Sequence, residues 1–364
     1  SFVNLDHRQN ESTIEFFKAT TMNSFPKTMS ELSSEWLSEA LGYPVTEFRA
    51  EILGEGIGVI GLVTRVFITS ASGPTSIIAK FPSQVPENRG VGELYDMYGR
   101  EYRFYTDIAP SIPLRIPDCF HASYNPDNQD FVLLLEDLDT YRIGDQIEGC
   151  NAHETELVLK ALASLHASTW QPDNFDHLVS HNNPMQRDGM IGGFEMGWPV
   201  VLHQFSDLVP ESARNIGDKM PGAIPKLLDA MCQDPVCVSQ GDSRLDNIFF
   251  GDDEVVIIDW QAISASAPEH DVAYFLTQSL KQDVYEAKDW VKVYHDELTR
   301  LGIEYPIDQC RERFTVCALY LLCYAVVIAG TLDLSNERGQ KMAKTLLANS
   351  LRSLDSLNAF ELLR

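Results

Sequence analysis

The 364-residue sequence predicts an α+β fold in two lobes, with a small antiparallel sheet within residues 1–137 and a larger, mainly helical lobe over 138–364. Three observations predict it. β-branched and aromatic runs bounded by turn residues crowd the first 137 residues. Beyond Asp137 the periodicity becomes helical, interrupted by short strands near 248–250 and 255–258. A single apolar strand, 131–136 (FVLLLE), stands at the crossing, so the lobes meet at a cleft, the usual place for a ligand.

Taken in order, residues 1–27 show no sustained periodicity and read as a loosely packed arm. From Thr28 a helix is expected, with Ser30 as N-cap, Leu32, Trp36, Leu37 and Leu41 on one face, and Gly42 as its stop. Strands come next at 47–53, 62–69 and 76–81, the last two joined by the turn SASGP. Residues 99–108 read as helix. Pro110, Pro113 and Pro117 then break the chain before the crossing strand. The stretch 152–170 is a long amphipathic helix, and most of the remaining chain is helical.

The bulk numbers exclude several classes. The formal net charge is −25 with 44% hydrophobic and 22% charged residues, an ordinary globular composition with an acidic surface. Nucleic-acid binding needs clustered Lys and Arg to displace counterions, and anionic membranes repel such a chain. The charge tilts only slightly toward a cationic ligand, solubility being the plainer reading. Seven cysteines without a CxxC pair or metal-ligand spacing suggest free thiols in a reducing, cytoplasmic compartment. The acidic N-terminal segment does not read as a secretory leader. Residues 314–332 are uncharged and long enough to span a bilayer, but their Thr, Cys and Tyr content fits a buried core helix.

The chemistry gathers in three places. Gly56, Gly58 and Gly61 satisfy GxGxxG, which alone is weak because dinucleotide and phosphate loops share it. A dinucleotide turn must open a helix, yet LVTRVFIT comes after it, so the loop joins two antiparallel strands and suits backbone N–H groups covering ATP phosphates. Lys80 ends the apolar strand IIAK, where an ammonium needs an anion. Glu101 on the next helix is the expected partner and Glu93 the competitor; the plain alternative is an edge lysine reaching to water.

The sharpest signal is QGDSRLDNIFF followed by EVVIIDWQ, residues 240–261. Asp242 and Asn247 stand five apart, and an apolar strand delivers Asp259 at its end. A base for an acceptor hydroxyl plus two oxygen ligands for Mg²⁺ nearly completes a phosphoryl-transfer site, since Mg²⁺ takes its other ligands from phosphate and water. Arg244 either contacts the γ-phosphate or the base, or forms a surface salt bridge. His166, on a leucine-lined helix face, reads as a satisfied core histidine, and Trp170 and Trp260 as packing beside the cleft.

These motifs, in this order over roughly residues 54–280, resemble the aminoglycoside phosphotransferase and choline kinase superfamily within the protein-kinase-like fold: GEGIGVIG, IIAK, REYRFY, LLLEDL, LASLHASTW, QGDSRLDNIFF, IIDWQ and PEHDVAYFL. GDQ at 144–146 and RLDN resemble the subgroup described as ecdysteroid-kinase-like or acyl-CoA-dehydrogenase-associated. The resemblance implies an ATP-dependent, Mg²⁺-assisted kinase acting on a small-molecule hydroxyl. It implies Asp242 as base, Asn247 and Asp259 as metal ligands, and Lys80 as phosphate contact paired with Glu101. Adenine is expected against the backbone of Glu136, Asp137 and Leu138, and Asp271 as a brace for the catalytic loop. One departure stands out: the family has His where this chain has Gln240, a structural bracket that a glutamine amide can also make. A nucleotide-binding pseudokinase is therefore the alternative, and an NAD-dependent oxidoreductase the more distant one.

Overall fold

The structure is a computed structural model that describes residues 24–53, 60–172, 178–331 and 334–364. Gly56, Gly58 and residues 1–23 of the expected arm lie outside the described residues.

The first lobe begins with helix α1 (Ser34–Leu41). Its cap is Ser33, whose side chain accepts from the Trp36 N–H, rather than the expected Ser30, because a separate 3₁₀ turn (Met29–Glu31) precedes it. Gly42 ends it at φ 76°, a left-handed conformation that glycine adopts without Cβ strain. Strands β1 (Val45–Ile52), β2 (Gly61–Ser70), β3 (Ser76–Pro82), β4 (Cys119–Asn125) and β5 (Asp130–Glu136) form one antiparallel sheet in the order β1-β2-β3-β5-β4. Between β3 and β4 lie helices α2 (Pro86–Leu94) and α3 (Met97–Arg103), the latter continued by a π-helical turn (Phe104–Ile108). The proline-rich run yields edge strand β4, which its polar sequence CFHASYN does not announce. Strand β5 is apolar from Phe131 to Leu135 because both its faces are covered. Val132 and Leu134 join the α1 core with Trp36, Leu37 and Phe81, while Phe131, Leu133 and Leu135 face the larger core with Tyr98 and Phe104.

The remainder carries β6 (Arg142–Ile143), α4 (Ala152–Ser168), α5 (Pro184–Gln204), α6 (Met220–Met231), β7 (Cys237–Ser239), β8 (Ile248–Phe250), β9 (Val255–Ile257) and β10 (Ser264–Ser266). Helices α7 (Glu269–Ser279), α8 (Gln282–Ala287), α9 (Trp290–Arg300), α10 (Ile307–Thr331) and α11 (Glu337–Ser356) complete it. The apolar segment 314–332 falls almost wholly on α10. By length and composition α10 could cross a membrane, but it packs against α5, α6, α7, α9 and α11, with Phe314, Leu319, Leu321 and Leu322 buried. A helix apolar on all sides is what the centre of a helical layer requires.

Candidate functional site

The site is built by one strand, one helix and one hairpin. Strand β3 carries Lys80 and helix α3 carries Glu101, and the Lys80 ammonium lies 2.8 Å from Glu101 Oε1 and 2.9 Å from Asp259 Oδ1. Burial alone would discharge a lysine here, but the Asp259 and Glu101 carboxylates outweigh it and hold Lys80 charged, above its ordinary pKa. Glu93, the competing acid, is committed to Arg89 at 2.7 Å. Gly61 opens β2 beside Lys80; a Cβ there would stand 3.1 Å from Lys80 Cε.

The hairpin explains why Asn247 and Asp259 meet. Strands β8 and β9 pair with Ile248 opposite Ile257, so the residues flanking them, Asn247 and Ile258, are also opposite, and the Ile258 N–H donates to the Asn247 carbonyl at 3.0 Å. Asp259 comes next at φ 60°, ψ 74°, a left-handed conformation uncommon for a non-glycine residue. Asn247 Nδ2 donates to the Asp242 carbonyl and to Asp242 Oδ2, both at 2.9 Å. Its Oδ1 has no partner among the described residues and can meet a cation. Asp242 keeps 20% of its side-chain surface exposed, which leaves it reachable from the cleft. Burial pushes its carboxyl above the usual range, and Asp259 adds to this, against the opposing pull of Arg244, Tyr274 and Asn247. Arg244 Nε lies 3.5 Å from Asp242 Oδ2, so its ion pair is with the candidate base rather than with a distant surface acid.

Gln240 ties these pieces together. Fully buried, its Nε2 donates to the carbonyls of Ile258 at 3.0 Å and Asp259 at 2.7 Å, while its Oε1 accepts from the Asp242 N–H at 2.8 Å. Asp271 sits behind. Its carboxylate accepts from the N–H groups of Gln240 and Gly241, from Ser239 Oγ, and contacts His166 Nε2 at 3.1 Å. Burial opposes its ionisation, but the hydrogen bonds from His166 and His270 hold it well below the usual carboxylate range. Gly241 has φ 87°, and a Cβ would approach the Ala262 carbonyl to 2.4 Å, so only glycine passes this turn. His166, also bonded to the Tyr294 hydroxyl, is thus a satisfied buried residue. Trp260 is fully buried and stacks on Phe104 at 3.8 Å, linking the Asp259 turn to the helix of Glu101 rather than lining the cleft. Trp170 packs edge-on against Tyr305.

The segment after β5 is held rigidly. Arg65 grips Asp137 through two bonds of 2.7 and 3.0 Å, Arg115 binds Glu136 at 2.6 Å, and Leu138 is buried. The Leu138 N–H has no partner among the described residues, so this stretch offers an open backbone donor. A cavity of about 870 Å³ opens nearby, lined by Tyr141, Glu154 and residues 250–254; it contains none of Lys80, Asp242, Asn247 or Asp259 and is separate from the site.

Sequence reasoning missed two participants. Gln146 is fully buried and accepts from the Leu245 N–H at 2.8 Å, while its own N–H donates to Asp246 Oδ1, bracing the loop between Asp242 and Asn247. Tyr274 contacts Asp242 from α7. Their signal was a polar letter kept inside otherwise buried text, GDQ and DVAYFL.

Oxygen donors are what the site offers a metal. Among the described residues no trio of His, Cys, Asp or Glu is gathered for one, but the Asn247 amide oxygen and the Asp259 carboxylate suit a hard cation that completes its shell with phosphate and water.

Comparison with known proteins gives the family and the fold. The model of the ecdysteroid kinase-like family matches residues 60–303. No curated protein matches the chain by sequence. Similar solved structures include a choline kinase from Cryptosporidium parvum (11% identity, 87% of this chain and 91% of that one, TM-score 0.56). An ethanolamine kinase from Plasmodium vivax is also similar (12% identity, 85% and 84% covered, TM-score 0.52). A third is an aminoglycoside 2′-phosphotransferase in complex with GDP (13% identity, 85% and 94% covered, TM-score 0.51).

Proposed function

Since the chain belongs to the ecdysteroid kinase-like family, we propose that it is an ATP-dependent phosphotransferase moving the γ-phosphate to a hydroxyl of a small molecule. The observation that carries this is the meeting of Lys80, Glu101, Asp242, Asn247 and Asp259, drawn from segments up to 179 positions apart, around one cleft.

Each residue has work that its surroundings fit. Asp242, partly exposed and raised in pKa, accepts the proton of the acceptor hydroxyl as its oxygen bonds to the γ-phosphorus and ADP departs. Lys80, kept charged and fixed by Glu101, contacts the α- and β-phosphates. Mg²⁺ held by Asn247 and Asp259 would neutralise phosphate charge. Arg244, beside Asp242, restrains the base and meets the transferred group. Glu136, Asp137 and Leu138 offer adenine their backbone, and the loop with Gly56, Gly58 and Gly61 covers the phosphates.

The pseudokinase alternative rests on Gln240. Its bonds to Ile258, Asp259 and Asp242 do what a bracketing histidine is asked to do, which favours turnover. The NAD alternative is disfavoured because Gly61 opens strand β2, not a helix. Thermal shift with ATP·Mg²⁺ and with NAD tests the reading: ATP·Mg²⁺ stabilises the protein and NAD does not, and the reverse would overturn it.

A further inference from the structure

Arg100 precedes Glu101 on α3, and one step along a helix turns a side chain by about 100°, so the two do not share a face. Its side chain makes no hydrogen bond and no ion pair among the described residues, and its Nε is buried. The acid on its own element, Asp96, is already bound to Arg103 and accepts from the Tyr124 hydroxyl. The other groups near it are the Arg103 cation and three neutral rings: Tyr95, which reaches from the end of α2 to the Met185 carbonyl on α5 at 3.4 Å, Tyr324 and His181.

Those neutral groups form a wall leading to the candidate base. Gln186 Nε2 donates to the Tyr324 hydroxyl at 2.9 Å and to the Tyr320 hydroxyl at 2.8 Å, and His181 Nε2 stands 3.4 Å from the Tyr324 hydroxyl. The Tyr324 ring meets Tyr274 edge-on at 5.6 Å, and Tyr274 contacts Asp242. A run of largely buried polar side chains therefore leads from Asp242 through Tyr274 and Tyr324 to a guanidinium whose nearest acid is already bound to Arg103. A half-buried guanidinium left unpaired is unfavourable unless a ligand completes it. The net charge of −25 tilts slightly toward a cationic ligand, yet the unpaired charge here is positive.

We propose that Arg100 anchors the acceptor, and that the acceptor carries an oxyanion, a carboxylate or phosphate, which pairs with this guanidinium while its hydroxyl lies at Asp242. This rests on the phosphotransferase reading and names the substrate class it would take. A planar guanidinium holds a carboxylate or phosphate through two parallel bonds, which orients as well as binds.

The test is a panel of hydroxy acids and phosphorylated alcohols, each beside its neutral amide or dephosphorylated counterpart, read by thermal shift and calorimetry. It is run on the full chain with and without a non-hydrolysable ATP analogue and Mg²⁺. At least one anionic member binds about ten- to a hundredfold tighter than its neutral counterpart. Arg100→Met abolishes that difference, Arg100→Lys restores part of it, and the affinity for the analogue is unchanged. The unliganded Arg100→Met protein still folds, because no hydrogen bond or ion pair of Arg100 among the described residues is lost. Absence of any anion-selective, Arg100-dependent binding overturns the proposal, as does a neutral member binding equally well. Loss of analogue affinity in Arg100→Met assigns the oxyanion to the nucleotide and overturns the acceptor role. Failure of the analogue to bind wild type, with anion selectivity intact, sinks the phosphotransferase reading instead.

Discussion

The side-chain amide of Gln240 donates to the Asp259 carbonyl at 2.7 Å, pinning a residue whose backbone is in the left-handed region at φ 60°. The same amide accepts from Asp242, so one buried side chain sets the base and the metal-side carboxylate relative to each other.

Replacing Gln240 by Leu strands two carbonyls and one N–H in the interior. Each buried group left unpaired costs about 1–3 kcal/mol. The variant should melt lower and need more Mg²⁺ for half-maximal nucleotide binding, as read by calorimetry at several Mg²⁺ concentrations. Gln240→His should retain binding near the wild-type level, since an imidazole N–H can donate to the same turn.

Lys80→Met leaves Glu101, almost fully buried, without its cation. Breaking such a pair costs about 3–5 kcal/mol, against about 0–1 for an exposed pair. Chemical denaturation should show a loss in the larger range, and Glu101→Gln added to it should recover part. ATP affinity should fall in both variants.

Asp242 yields a pH prediction. A base acts only when deprotonated, and burial raises this carboxyl above the usual range. Activity should therefore decline as pH falls through a value above the ordinary aspartate pKa of about 3.9. In the kcat/KM profile of the free enzyme this limb should vanish in Asp242→Asn, together with about a hundred- to ten-thousandfold in rate. Nucleotide affinity should hold, because this residue acts on the acceptor.

Asp271 should behave oppositely. Its folded pKa is depressed, so it stabilises the protein above the unfolded carboxylate value, and that contribution is lost as pH falls through the depressed one. Asp271→Asn turns an NH₂ group toward backbone donors of Gln240 and Gly241, at about 1–3 kcal/mol for each left unmatched. Stability measured from pH 7 downward should start lower in the variant and lose less on acidification.

Much of this was legible because the relevant letters are local. Asn247 and Asp259 flank one hairpin with Asp242 five residues before Asn247, and the β-branched text after Gly61 announces a strand. Glu101 was readable only by its helical position relative to Lys80. Strand β4 was not, because a half-exposed edge strand has no apolar alternation to display. The cap of α1 moved to Ser33 because ST-rich text offers several equivalent caps, and the Trp36 N–H selects one. Gln146 and Arg100 were not legible for another reason: Gln146 braces a loop 99 residues away, and the surroundings of Arg100, with Tyr324 and His181 in them, exist only after folding.

The most direct test of phosphotransfer is incubation of the protein with ATP, Mg²⁺ and a mixture of hydroxylated metabolites, with mass spectrometry then used to find a product heavier by one phosphoryl group. Wild-type protein should yield such a product, with matching ADP release, and Asp242→Asn should yield almost none. Equal product from both proteins, or ADP release with no phosphorylated acceptor from any hydroxylated metabolite, would contradict the account.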